Sequence, residues 1–152
     1  MPMSLMLLSS SYVFEQRNQY LGYCKDELQR FLPNRARLLF VPFAYGSHDD
    51  YTQRVQRALA RYGTTVTGAH SIDIPDAASI RDRFDVVFCG GGNTFLLLAE
   101  LYNRKLFAPI KDASEMGVRY MGSSAGANVA CPTIGTTNDM PIIERRACGR
   151  CT

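Results

Sequence analysis

The sequence predicts an α/β fold in three layers, with a mostly parallel sheet and helices on both of its faces. Short apolar runs such as residues 38–41 (LLFV) and 85–89 (DVVFC) are typical of strands that are buried on both faces. Segments with apolar residues at helical spacing alternate with these runs along the chain. Strands that are separated by helices in this way usually form a parallel sheet.

Five strands and five helices are predicted, with at least one helix between each pair of consecutive strands. The strands are expected at residues 5–8, 38–41, 65–69 and 85–89, and from Tyr120 onward. The helices are expected at residues 16–31, from Asp49 or Asp50 to 62, 76–83, 94–102 and 107–116. Pro33, Gly63 and Gly117 follow three of these helices, and both residue types commonly end helices.

Length and composition indicate one soluble globular domain. The chain has 152 residues, 46% of them hydrophobic and 20% charged. Residues 144–152 hold one glutamate and three arginines, which account for two of the three net positive charges. The rest of the chain has a net charge close to zero, which gives no electrostatic indication of nucleic-acid binding.

The sequence favours a cytoplasmic protein that binds no membrane and no cofactor. Its apolar N-terminus is short and lacks a basic region, and no apolar run is long enough to span a bilayer. The five cysteines are irregularly spaced, which argues against a disulfide framework. Cys148 and Cys151 form an isolated C-x-x-C pair, which by itself is weak evidence for a metal or redox site.

Residues 122–126 (GSSAG) match the Gly-x-Ser-x-Gly pattern with Ser124 at its centre. In this pattern a serine lies on a strained strand-to-helix turn, and the flanking glycines avoid clashes with the neighbouring strand and helix. The turn exposes the serine hydroxyl to a substrate carbonyl, and the following N–H, here that of Ala125, would stabilise an oxyanion. A small-residue turn without catalytic function remains the alternative for the pentapeptide alone.

Residues 90–92 (GGG) directly follow a predicted strand and precede a predicted helix. Such a turn can present outward N–H groups to an anion, and it would complete an oxyanion hole with Ala125. The alternative is a flexible turn without a ligand. A dinucleotide site is not indicated, because the G-x-G-x-x-G pattern is absent.

Several motifs in chain order resemble the peptidase E family of cytosolic α-aspartyl dipeptidases, which are serine peptidases. They comprise residues 7–10 (LLSS), 40–44 (FVPFA), 90–95 (GGGNTF), 124–128 (SAGAN), 130–134 (ACPTI) and 136–142 (TTNDMPI). The resemblance implies a flavodoxin-like sheet, akin to class I glutamine amidotransferase domains. It also implies hydrolysis of dipeptides with an N-terminal aspartate.

The same resemblance implies roles for individual residues. Ser124 matches the family nucleophile, and Gly92 and Ala125 match the positions expected to form the oxyanion hole. Asp139 matches an aspartate that the family needs for activity. The resemblance extends over residues 1–143, and the basic segment 144–152 matches nothing in the family.

The histidine of the family follows the NDMP motif at a distance, and this sequence has no matching segment, so a C-terminally truncated form is expected. His48, or less plausibly His70, could act as a substitute base. Without a base, activity would be impaired, and a non-catalytic binding protein that retains the pocket is the alternative. An esterase is a third interpretation.

An incomplete sheet would expose an edge strand, so self-association is expected.

Overall fold

The computed structural model describes residues 3–11 and 19–131. The strands are β1 (Leu5–Leu8), β2 (Arg37–Val41), β3 (Thr65–Gly68), β4 (Val86–Cys89) and β5 (Arg119–Ser123). They form one sheet in the order β1-β5-β4-β2-β3, and each neighbouring pair is parallel. The predicted α/β fold with a parallel sheet is therefore confirmed, and its architecture is flavodoxin-like.

Helices connect the strands as the periodicity predicts. They are α1 (Lys25–Phe31), α2 (His48–Leu59), α3 (Ala77–Arg83), α4 (Thr94–Asn103), α5 (Phe107–Glu115) and α6 (Ala125–Asn128). Polar side chains cap two of them. Asp76 accepts a hydrogen bond from the Ser79 N–H at 2.8 Å, and Asn93 accepts one from the Leu96 N–H at 3.0 Å.

Consecutive residues of the central strands point to opposite faces of the sheet, and both faces are buried. Leu39 and Val87 belong to a core that includes residues of α3, α4 and α5. Phe40 and Phe88 belong to a second core with residues of α1 and α2. The apolar runs are continuous because helices cover both sides of these strands.

One predicted helix is shorter than the sequence pattern suggests. The periodicity of residues 16–31 predicts a single helix, but α1 begins only at Lys25 and a 3-10 turn precedes it at Gly22–Cys24. Leu21 has φ 55°, in the left-handed region, so an α-helix cannot continue through it. Residues 16–18 of the predicted helix lie outside the described residues.

The carboxyl ends of β1, β4 and β5 meet at one edge of the sheet. Leu8 is paired with Ser123, and Cys89 is paired with Gly122. The segments that follow these three strands therefore lie side by side. Ligands of open parallel sheets bind at this edge, beyond the carboxyl ends of the strands.

At the border of the sheet, β1 is paired only with β5 among the described strands. Leu5 and Leu7 on this strand are 43% and 45% exposed.

Among the described residues, no helix is both long enough and apolar enough to cross a bilayer.

Candidate active site

Ser124 lies at the turn between β5 and α6, as the Gly-x-Ser-x-Gly pattern predicts. Its backbone has φ 51° and ψ −105°, a combination that side-chain-bearing residues rarely adopt. Such strain persists only where the surrounding structure enforces it, and it is frequent at active sites. The adjacent strand contributes to this enforcement, because the Ser124 N–H donates a hydrogen bond to the Leu8 carbonyl oxygen at 2.8 Å.

The flanking glycines are required because backbone segments approach each other closely. A Cβ at position 126 would overlap the carbonyl oxygen of Cys89, at the end of β4. A Cβ at position 122 would lie 2.5 Å from the Gly126 carbonyl oxygen. Position 126 must therefore lack a side chain for α6 to approach β4, and position 122 must lack one for α6 to approach β5.

The glycine loop after β4 is held from two sides. Gly92 has φ 141°, and a Cβ there would overlap the carbonyl oxygen of Ala44. That oxygen accepts a hydrogen bond from the Asn93 N–H at 2.9 Å. From the other side, the Tyr51 hydroxyl donates to the Gly91 carbonyl oxygen at 3.0 Å. These contacts orient the loop relative to Ser124.

The glycine loop and the serine turn open onto the same cavity. Its volume is about 230 Å³, and it is lined by hydroxyl groups, one guanidinium and loop backbone, from Ser10, Ser11, Tyr20, Tyr45, Tyr51, Arg54, Gly91, Gly92 and Ser124. The turn and the loop are close, since a Cβ at Gly91 would lie 3.3 Å from the Ser124 Cβ. The structure therefore brings Ser124 and Gly92 together.

Ala125 is fully buried directly after Ser124, as the first residue of α6. Within the described part of the chain, the backbone N–H groups of Gly92 and Ala125 donate no hydrogen bond. An oxyanion hole requires unused donors beside the serine hydroxyl; Gly92 lines the cavity with Ser124, whereas Ala125 is not among its described lining residues.

Pairs of hydroxyl groups lie within hydrogen-bonding distance of each other in and beside the wall of the cavity. The Ser11 and Ser123 hydroxyl oxygens are 2.5 Å apart, and both residues are buried. The Tyr20 and Tyr51 hydroxyl oxygens are 3.3 Å apart. Tyr51 and Arg54 are not recognisable as cavity residues from the sequence, because Tyr51 resembles an ordinary apolar position of α2 and Arg54 an ordinary solvent-facing one.

His48, proposed from the sequence as a substitute base, does not line this cavity. Its ring packs edge-on against Phe43 at 5.1 Å and lies 5.5 Å from the ring of His70. Burial, followed by the positive charge of Arg104 and the proximity of His70, lowers the pKa of His48, so its imidazole is neutral at pH 7. No imidazole is among the described residues that line the cavity.

The remaining candidate groups lie away from the cavity lining or outside the described residues. His70 Nε2 lies 2.7 Å from an Asp49 carboxylate oxygen. Burial raises the pKa of Cys89 to about 12, so this thiol remains protonated at the carboxyl edge. Asp139 and the Cys148–Cys151 pair lie outside the described residues. The described residues contain no group of His, Cys, Asp or Glu that could hold a metal ion.

Comparisons with known proteins point to one family. The model of peptidase family S51 matches residues 5–149. Peptidase E of Streptomyces coelicolor is 47% identical over 142 residues, which cover 93% of this chain and 57% of that protein. Peptidase E of Shigella flexneri serotype 5b is 44% identical over 144 residues, with coverages of 93% and 61%. The chain thus spans about three fifths of the length of these curated relatives.

Solved structures agree on the fold. A Listeria monocytogenes EGD-e protein assigned to peptidase E has a TM-score of 0.65 at 24% identity, covering 98% of this chain and 76% of its own. A peptidase from an acI-B1 actinobacterium also has a TM-score of 0.65, at 18% identity, with coverages of 86% and 58%. At these identities the likeness concerns the fold.

The packing of Gly126 predicts the effect of adding one methyl group there. Gly126→Ala should lower the free energy of unfolding by roughly 3 kcal/mol or more, because the rigid backbone of β4 cannot yield. This corresponds to a fall of roughly 10 °C in the melting temperature. Gly46→Ala is the matched control, since a Cβ there meets nothing within 4 Å. Equal melting temperatures for the two variants would contradict the packing argument.

Proposed function

Because this chain belongs to peptidase family S51, we propose that it carries the nucleophile and oxyanion hole of a serine-type dipeptidase for peptides with an N-terminal aspartate. The observation that carries the proposal is the strained turn at Ser124, which opens onto a cavity shared with the glycine loop. The peptidase E relatives support the dipeptide substrate. The resemblance of the motifs supports the preference for aspartate.

In the proposed reaction, the Ser124 hydroxyl oxygen attacks the carbonyl carbon of the scissile peptide bond. The carbonyl oxygen becomes an oxyanion, which accepts hydrogen bonds from the Gly92 and Ala125 N–H groups. The serine proton passes through a base to the leaving amine, and the peptide C–N bond breaks. Water then hydrolyses the acyl-serine ester. Asp139 is proposed to support the site, as the resemblance implies.

The proposed reaction needs a base, and the described residues that line the cavity do not supply one. A serine hydroxyl is a weak nucleophile until a base removes its proton, and the described cavity residues include no imidazole. We therefore expect hydrolysis by this chain alone to be slow. The second candidate function, a binding protein that retains the pocket without turnover, is favoured by the same observation.

We further propose a cytoplasmic location and self-association through β1. Cys24, Cys89 and Cys131 are free thiols, which suits a reducing compartment. The outer edge of β1 has no partner strand among the described residues. Leu5 and Leu7 of this strand are exposed. A strand edge with exposed apolar side chains readily pairs with another edge.

An active-site fluorophosphonate tests whether Ser124 is activated. The purified chain should be labelled slowly, with the adduct mapped to Ser124 by peptide mass spectrometry, and Ser124→Ala should abolish labelling. Hydrolysis of Asp-Leu should disappear in the same variant. A folded chain that is not labelled at Ser124 would overturn the catalytic proposal in favour of the binding protein.

The position of His48 predicts that it is not the base. His48→Gln should leave the rate of labelling within about twofold of the unmodified chain, whereas loss of a true general base lowers rates by roughly 100-fold or more. Thermal denaturation should accompany the assay, because His48 packs on Phe43. A 100-fold slower labelling of a stable variant would identify His48 as the substitute base.

Leu7→Lys tests self-association through the open edge. The unmodified chain should show a dimer fraction that rises with concentration in size-exclusion chromatography with light scattering. Leu7→Lys should reduce this fraction, because a charged side chain disfavours edge pairing. Met116→Lys is the control, since Met116 is exposed but lies outside β1. A monomeric chain at high micromolar concentration would refute the proposal.

A further inference from the structure

Arg54 gives the cavity beside Ser124 a positive charge that the dipeptidase chemistry itself does not need. Among the described residues that line the cavity, Arg54 is the one permanently charged group, and none is an aspartate or glutamate. The serine and tyrosine hydroxyls of the lining can all donate hydrogen bonds. The described walls of the cavity are therefore suited to an anionic ligand.

Arg54 is an exposed residue at the cavity and is not paired with any described carboxylate. It lies one turn after Tyr51 on α2, and its guanidinium carbon is 5.7 Å from the centroid of the Tyr51 ring. No carboxylate of the described residues forms an ion pair with it. Other arginines do have such partners, as in the pairs Arg37–Asp85, Arg81–Asp82 and Arg104–Glu100.

Tyr51 connects the position of Arg54 to that of the glycine loop. The Tyr51 ring contacts the Arg54 guanidinium, and its hydroxyl donates a hydrogen bond to the Gly91 carbonyl oxygen at 3.0 Å. One side chain therefore contacts both the guanidinium of Arg54 and the loop that contains Gly92. A ligand bound at Arg54 would lie in the cavity that Ser124 also lines.

We propose that Arg54 binds a carboxylate of the peptide and, where this is the carboxylate of the aspartate side chain, determines the preference for acidic substrates. This inference rests on the proposed function, because it takes the cavity as the substrate site. A planar guanidinium can hold a carboxylate through two parallel hydrogen bonds, which select for both charge and geometry. The carboxylate is that of the aspartate side chain or that of the peptide C-terminus.

Equilibrium binding of Asp-Leu to the full chain carrying Ser124→Ala, which prevents turnover, tests the proposal. Isothermal titration or NMR titration should show that Arg54→Gln raises the Kd about tenfold, as expected for a lost charge-assisted hydrogen bond. Arg54→Lys should recover part of the affinity, because it retains the charge but not the planar fork. Arg57→Gln, one turn further along the exposed side of α2, should not change the Kd.

Two modified ligands identify which carboxylate is bound. If Arg54 holds the aspartate side chain, Asn-Leu should bind weakly and should be insensitive to Arg54→Gln, while Asp-leucinamide should keep its sensitivity. The reverse pattern would assign Arg54 to the C-terminal carboxylate. If Arg54→Gln weakens the binding of both Asn-Leu and Asp-leucinamide, the assignment of Arg54 to a single carboxylate is overturned.

The proposal is overturned if Arg54→Gln binds Asp-Leu as tightly as the arginine form, or if Asp-Leu does not bind to the chain. Neither outcome decides the proposed function, which depends on fluorophosphonate labelling of Ser124. Loss of that labelling with retained binding of Asp-Leu at Arg54 would instead indicate a non-catalytic peptide-binding site.

Discussion

The close approach of the β5–α6 turn to the end of β4 constrains the whole candidate site. Gly126 packs directly on the carbonyl oxygen of Cys89, and Ser124 is held in a backbone conformation that it would otherwise avoid. This arrangement is possible because β4 and β5 are parallel neighbours whose carboxyl ends coincide. The strain at Ser124 is therefore maintained by the packing of the sheet, and it exposes the hydroxyl to the cavity.

The cavity combines three segments that are distant in the chain. The turn after β5 provides Ser124, the loop after β4 provides Gly92, and α2 provides Tyr51 and Arg54. Tyr51 links the last two of these segments through its hydrogen bond to Gly91. Because α2 is also packed into the core through Val55 and Leu59, the loop is positioned by rigid structure. Such preorganisation is what electrostatic stabilisation of an oxyanion depends on.

The described groups of the cavity are better suited to donating hydrogen bonds than to accepting protons. Hydroxyls, a guanidinium and backbone N–H groups surround Ser124, whereas His48 and His70 pack together away from the cavity lining. This composition is compatible both with the proposed binding of an acidic peptide and with the slow covalent chemistry that we expect. In the proposed reaction, the rate of hydrolysis would depend on the base that accepts the proton of Ser124.

The α/β fold, the parallel sheet and the turn at Ser124 can be predicted from the amino-acid sequence, because buried strands and the glycine spacing leave local patterns. The helix predicted over residues 16–31 is wrong in its extent, since periodicity does not reveal the left-handed backbone of Leu21. The presence of Tyr51 and Arg54 beside Ser124, and the absence of His48 from the cavity lining, follow from the three-dimensional packing. Cavity membership depends on how α2 lies across the sheet, and packing between distant segments leaves no spacing pattern in the chain.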